Sequence, residues 1–129
     1  MISLPTYAAM KAALLQIQDK TLYRIVNDRL SDAVACGCEH MTHILIIEPG
    51  NGEAEFLREA AFTPFRNPLS DTRYGQSGFE PHWDWAGQHQ GWFEWLTCIG
   101  NAGFAFIVLV PDRDDIDPML LAMLREFIA

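Results

Sequence analysis

Between residues 79 and 95 the chain gathers groups that could do chemistry: His82, Asp84, His89 and Glu94, interleaved with Trp83, Trp85, Trp92 and Trp95. A histidine with a carboxylate beside it can act as a general base held by its orienting acid. Three such groups in reach of one another can also hold a metal. Neither set is complete. No Ser or Cys sits on a Gly-framed elbow to serve as nucleophile, and Cys98 lies inside an apolar run. The segment suits a different task. Indole faces beside a few placed polar groups fit a small cyclic compound, a sugar or a peptide, and aromatic residues are enriched where binding energy concentrates. The competing explanation is a segment that lays its indoles on the core and turns its polar groups to water. The candidate ligand-binding residues are therefore His82, Trp83, Asp84, Trp85, His89 and, from the same stretch of chain, Arg73.

Arg66 and Arg73 are the only cations between Arg58 and Arg113. They pair with a neighbour such as Asp71, or grip an anionic ligand with their planar fork. Cys36, Cys38, His40 and His43 offer four possible zinc ligands within eight residues. Structural zinc usually ties together pairs from separated loops, so small buried cysteines and solvated histidines at a helix end are the favoured explanation of the cluster. Pro49-Gly-Asn-Gly52 resembles a phosphate loop only on the surface: it lacks the Lys-Ser/Thr ending, and Glu53 and Glu55 stand where phosphate would bind. No cofactor and no metal is expected.

Composition narrows the setting. The 129 residues are half hydrophobic and one-fifth charged, with a formal net charge of −8. That is enough chain for one domain with a core of its own. Four Lys/Arg balance four Asp/Glu up to Met41, so the acidic excess lies downstream. Such a surface repels nucleic acid, whose binding depends on cations that neutralise phosphates. No apolar run has the length of a membrane span. The N-terminus has neither a basic region nor a contiguous apolar one, which argues against a secretory signal. Three cysteines at irregular spacing make no disulfide framework. A cytoplasmic protein is expected, with no nucleic-acid or membrane partner.

The elements that must position these groups follow from periodicity. Tyr7, Met10, Leu14 and Ile17 line one helical face after Pro5. Asp19-Lys20 interrupts the pattern, and Thr21 could cap a second helix whose stripe is Leu22, Ile25, Val26, Leu30, Ala33 and Val34, stopped by Gly37. Residues 1–40 thus form a helical hairpin. His43–Glu48 reads as a buried strand and Glu53–Ala61 as a short helix. Residues 62–90 read as a long loop. Trp92–Ile99 and Phe104–Val110 form a strand hairpin around Gly100-Asn-Ala-Gly103, with Trp92 and Trp95 on opposite faces. The second of these strands is apolar on both faces and belongs at the centre. The first carries Glu94 and Thr97 on opposite faces and is placed nearer an edge. Asp117-Pro118 begins a last helix.

The expected fold is α+β: a small, mainly antiparallel sheet of 43–48, 92–99 and 104–110, covered by helices. It is a single domain, 1–129, read as an α+β core (41–129) with the helical hairpin (1–40) as an extension. If the hairpin's apolar face finds no room on so small a sheet, it pairs between protomers as a homodimer. The expected function is a non-enzymatic binding or interaction protein that contacts a protein or small-molecule partner through the 79–95 segment. A small hydrolase or isomerase using His82, Asp84, His89 and Glu94, possibly with a metal, is the competing class; a structural subunit of a larger assembly is the third. In an enzyme those groups must converge on a concave pocket within hydrogen-bond reach.

Overall fold

The computed structural model describes residues 2–4, 6–37, 39, 42–49, 85–99 and 104–128. Its elements are β1 (Ile2–Leu4), α1 (Tyr7–Leu14), α2 (Lys20–Ala35), β2 (Thr42–Ile46), β3 (Trp85–His89), β4 (Trp92–Ile99), β5 (Phe104–Pro111) and α3 (Pro118–Ile128). The strands form one sheet in the order β1-β2-β5-β4-β3. β2 and β5 run parallel and the other three pairs antiparallel. The α+β class is as expected, and α1 and α2 are consistent with the helical hairpin. Among the described residues no helix is long and apolar enough to cross a membrane.

Local chemistry sets the element ends. The Thr6 hydroxyl accepts from the Ala9 N–H and caps α1. α2 is capped by Asp19, whose Oδ1 accepts from the Leu22 N–H at 3.0 Å, rather than by Thr21. Asp19 is the residue that broke the helical pattern, and breaking it is what an N-cap does. Gly37 follows α2 with φ of +70°, a left-handed conformation that costs glycine little. Asp117 accepts from the Met119 N–H at the start of α3.

Alternation along the strands gives the sheet two faces. On one, Leu45, Ile47, Phe93, Trp95, Val108 and Val110 meet Leu120, Leu121 and Leu124 of α3. On the other, Ile44, Ile46, Ile107 and Leu109 meet Met10 of α1 and Leu22, Ile25, Val26 and Leu30 of α2. The helical hairpin therefore does find room on the sheet. The argument for a homodimer from an uncovered helical face falls with it.

Two sheet positions differ from expectation. β4 is interior, because β3 pairs along its outer side, so Glu94 did not mark an edge. Residues 85–89, read as the end of a loop, form that edge strand. Ala, Gly and Gln have little intrinsic strand preference; pairing with apolar β4 through the Gln90-Gly91 turn overrides it, with Gly91 at φ of +82°. β1 adds the opposite edge from residues read as the entry to a helix. The 53–61 helix and the turns at 49–52 and 100–103 lie wholly or largely outside the described residues.

Candidate functional site

Across the α2 side of the sheet, one register row reads Ile2, Ile46, Leu109, Glu94, Gly87. An apolar row thus ends in a carboxylate and then a position with no side chain. Glu94 is 1 % exposed, a costly burial for a charge unless it is paired and hydrogen-bonded. Both oxygens are engaged. Oε2 accepts from Arg29 Nε of α2, and Oε1 lies 2.9 Å from His89 Nε2 of β3. The hydrogen bond to Glu94 raises the Arg29 pKa, so this guanidinium stays cationic.

Gly87 makes the arrangement possible. A Cβ there would collide with Cη2 and Cζ2 of the Trp85 indole, which folds across the glycine. The indole lies 5.7 Å from the Arg29 guanidinium, within cation–π range. Arg29 also reaches Asp32 Oδ2 at 3.2 Å. Two residues before Glu94 on the same face of β4, Trp92 Nε1 donates to Asp19 Oδ2 at 3.2 Å and ties β4 to the start of α2. The backbone hydrogen bond from Leu22, foremost, and this indole bond hold the Asp19 carboxyl below the ordinary value.

Between α2 and the β3–β4 hairpin lies an open cleft of about 410 Å³, lined by Arg24, Asp28, Arg29, Asp32, His89 and Glu94, with Ile25 as an apolar wall. The imidazole orientation follows from donor and acceptor counting. A carboxylate only accepts, so the His89 Nε2 that faces Oε1 is the donor of that hydrogen bond. Nδ1 then faces Arg24 Nη2, at 3.4 Å. The result is a histidine fixed from behind by a buried carboxylate, with its other nitrogen turned to the cleft.

Of the residues singled out in the sequence, His89 and Glu94 converge here and Trp85 stands beside them. His82, Trp83, Asp84 and Arg73 lie outside the described residues. Trp95 is buried against α3 on the opposite face, edge-on to Phe127. Of the possible zinc ligands, Cys36 is exposed at the end of α2 and His43 is buried in β2, the reverse of the buried cysteine and solvated histidine expected, because the helix ends at Cys36 and the strand carries His43 into the sheet; Cys38 and His40 are outside the described residues. No group of three or more metal-binding side chains occurs among the described residues. Sequence reading missed Arg24, Asp28, Arg29 and Asp32. A faint signal existed for Arg29: it stands four residues after Ile25 and three after Val26, on the flank of the buried stripe, where a long cation can reach the sheet.

No protein-family model, no curated protein and no solved structure matches the chain. The functional reading rests on the geometry.

Proposed function

We propose that this is a small-molecule binding protein whose ligand occupies the cleft between α2 and the β3–β4 hairpin. The observation that supports it most is Glu94, a buried carboxylate engaged by Arg29 and His89 at the base of a concave site. Ligand pockets typically span roughly 300–1,000 Å³ and combine apolar walls with a few convergent polar groups. The cleft has that size, with Ile25 as its apolar wall and a lining otherwise of charged and polar groups, and Trp85 and His89 come from the aromatic segment that suggested recognition.

A second reading has one observation in its favour. A histidine backed by a buried carboxylate, with Nδ1 open to a cleft, is also the arrangement of a general base and its orienting acid. Ser31 lines the cleft, yet it makes no hydrogen bond to His89, so among the described residues no side chain stands as the nucleophile of a hydrolase. Binding without turnover is the better fit.

The test is a fragment titration of the ¹⁵N-labelled protein with neutral, cationic and anionic compounds. Hits should move the amides of Arg24, Asp28, His89 and Glu94. Gly87→Ala, which pushes the Trp85 indole off its seat, should weaken those hits by about tenfold, about 1.4 kcal/mol. Hits that leave these amides unmoved would rule the reading out.

A further inference from the structure

We infer that the groove between α1 and α2 binds a small aliphatic monocarboxylate, with its alkyl chain laid along the helices and its carboxylate met by Lys11. This is a second site, on the other flank of α2 from the cleft, and it stands independently of the reading above.

Helical spacing builds the groove from two matched rows. Tyr7, Lys11 and Leu14 come from α1; Asn27, Leu30 and Val34 come from α2. Each row spans seven residues, roughly 10 Å at 1.5 Å per residue. Together they enclose about 420 Å³. Leu30, 5 % exposed, belongs to the core beneath the two helices, and Tyr7 and Leu14 pack on that core from its edge. Val34 also lines the groove and is 51 % exposed. An alkyl chain lying here would take the water off this apolar surface.

The two flanks of α2 are sorted by chemistry. Arg24, Asp28 and Asp32 line the polar cleft, whereas the groove receives Asn27, Leu30, Val34 and Ala35; Ser31 borders both. Among the described residues, Lys11 is the one charged group in the groove lining, and no carboxylate stands there to oppose an anion. The groove also lies within the part of the chain, up to Met41, where cations and carboxylates balance.

Lys11 is available to a ligand. Its ammonium lies 5.4 Å from the centroid of the Tyr7 ring, a cation–π contact that keeps it beside the groove. Among the described residues it forms no ion pair. An apolar trough with one cation at its rim selects a molecule with an apolar body and one negative end. Phosphate lacks the body, and an alkylamine carries the wrong sign. A peptide would set backbone N–H and C=O groups against Leu14, Leu30, Val34 and Ala35, whose side chains offer them no partner. An alkyl chain carries no such groups.

Straight-chain carboxylates from butanoate to dodecanoate, with 1-octanol and octylamine as controls, test this by ¹⁵N titration at pH 7 below micelle formation. Octanoate should move the amides of Leu14, Leu30 and Val34 and leave those of His89 and Glu94 in place. Affinity should rise about twofold per added methylene up to octanoate, below the roughly fourfold of complete burial, and flatten once the chain outruns the groove. Octanoate should bind about threefold more tightly than 1-octanol, because an exposed ion pair contributes modestly. Lys11→Gln should remove that advantage. Lys11→Glu should weaken octanoate about tenfold and tighten octylamine, a gain that damage to the fold could not produce. Octanol equal to octanoate, a Lys11→Glu variant unchanged toward both, or affinity flat with chain length would each overturn the inference. Sedimentation without ligand should show a monomer. A dimer dispersed by Val34→Glu would give the groove to a second copy of the chain and overturn it as well.

Discussion

The two faces of the sheet bury titratable groups in opposite ways. On the α2 side, Glu94 is buried as a charge, with Arg29 and His89 occupying its two oxygens. On the α3 side, Leu45, Phe93, Trp95, Val108 and Val110 form an apolar layer, and His43, which shares the side of Leu45 on β2, is buried with its pKa lowered. One face keeps a charge by supplying partners; the other keeps a group neutral by withholding water. The ion-paired face opens onto a cleft, whereas the apolar face is closed by α3. On the reading proposed above, recognition belongs to the ion-paired face, while the α3 side serves stability alone.

The largest test of that division is Trp95→Ala. The indole is 1 % exposed and meets Phe127 with ring centroids 6.3 Å apart. Its loss should cost about 3–5 kcal/mol in urea denaturation, as large-to-small core substitutions do. A loss below about 1 kcal/mol would mean α3 is not a firm cover. Next comes Arg29→Ala, expected to cost about 3 kcal/mol because Glu94 is left buried with His89 alone. The double variant Arg29→Leu with Glu94→Leu should recover most of this, since replacing a whole buried pair by apolar groups is often neutral or better. That double variant should nevertheless lose the cleft's ligand. Stability recovered with ligand binding intact would erase the distinction between the faces.

How far these faces were legible in the sequence depends on the range of the interaction. The α2 stripe from Leu22 to Ala33 and the apolar run of β5 are local patterns, so they read directly. Trp92 and Trp95 fell on opposite faces because strand alternation requires it. β3 was missed because Trp-Ala-Gly-Gln-His acquires strand geometry only by pairing with β4. β1 was missed because three residues hold no period. The site was half visible: His89 and Glu94 stood out by type. Arg24 and Arg29 reach their partners 65 residues away, and a helix's exposed arginines have no local mark that tells a ligand grip from a solvated charge. Gly87 looked like loop composition; its role as the seat of the Trp85 indole exists only in three dimensions.

The smallest effect expected is the pH response of His43, and its sign separates the two faces cleanly. Burial disfavours the imidazolium, so the folded-state pKa lies below the ordinary value of 6.5. Between the two values the unfolded chain binds the proton more readily than the folded one, and stability rises with pH wherever that holds. Acidifying through about pH 6.5 should therefore begin to destabilise the fold, and the loss should level off once pH passes below the folded-state pKa. A substitution that cannot titrate, His43→Gln, should remove that part of the slope. Urea midpoints measured at pH 7 and pH 5 for the two proteins provide the comparison. If wild type and variant lose stability in parallel on acidification, the α3 side does not hold its histidine neutral. The contrast with Glu94, engaged by Arg29 and His89, would then fail from the apolar side.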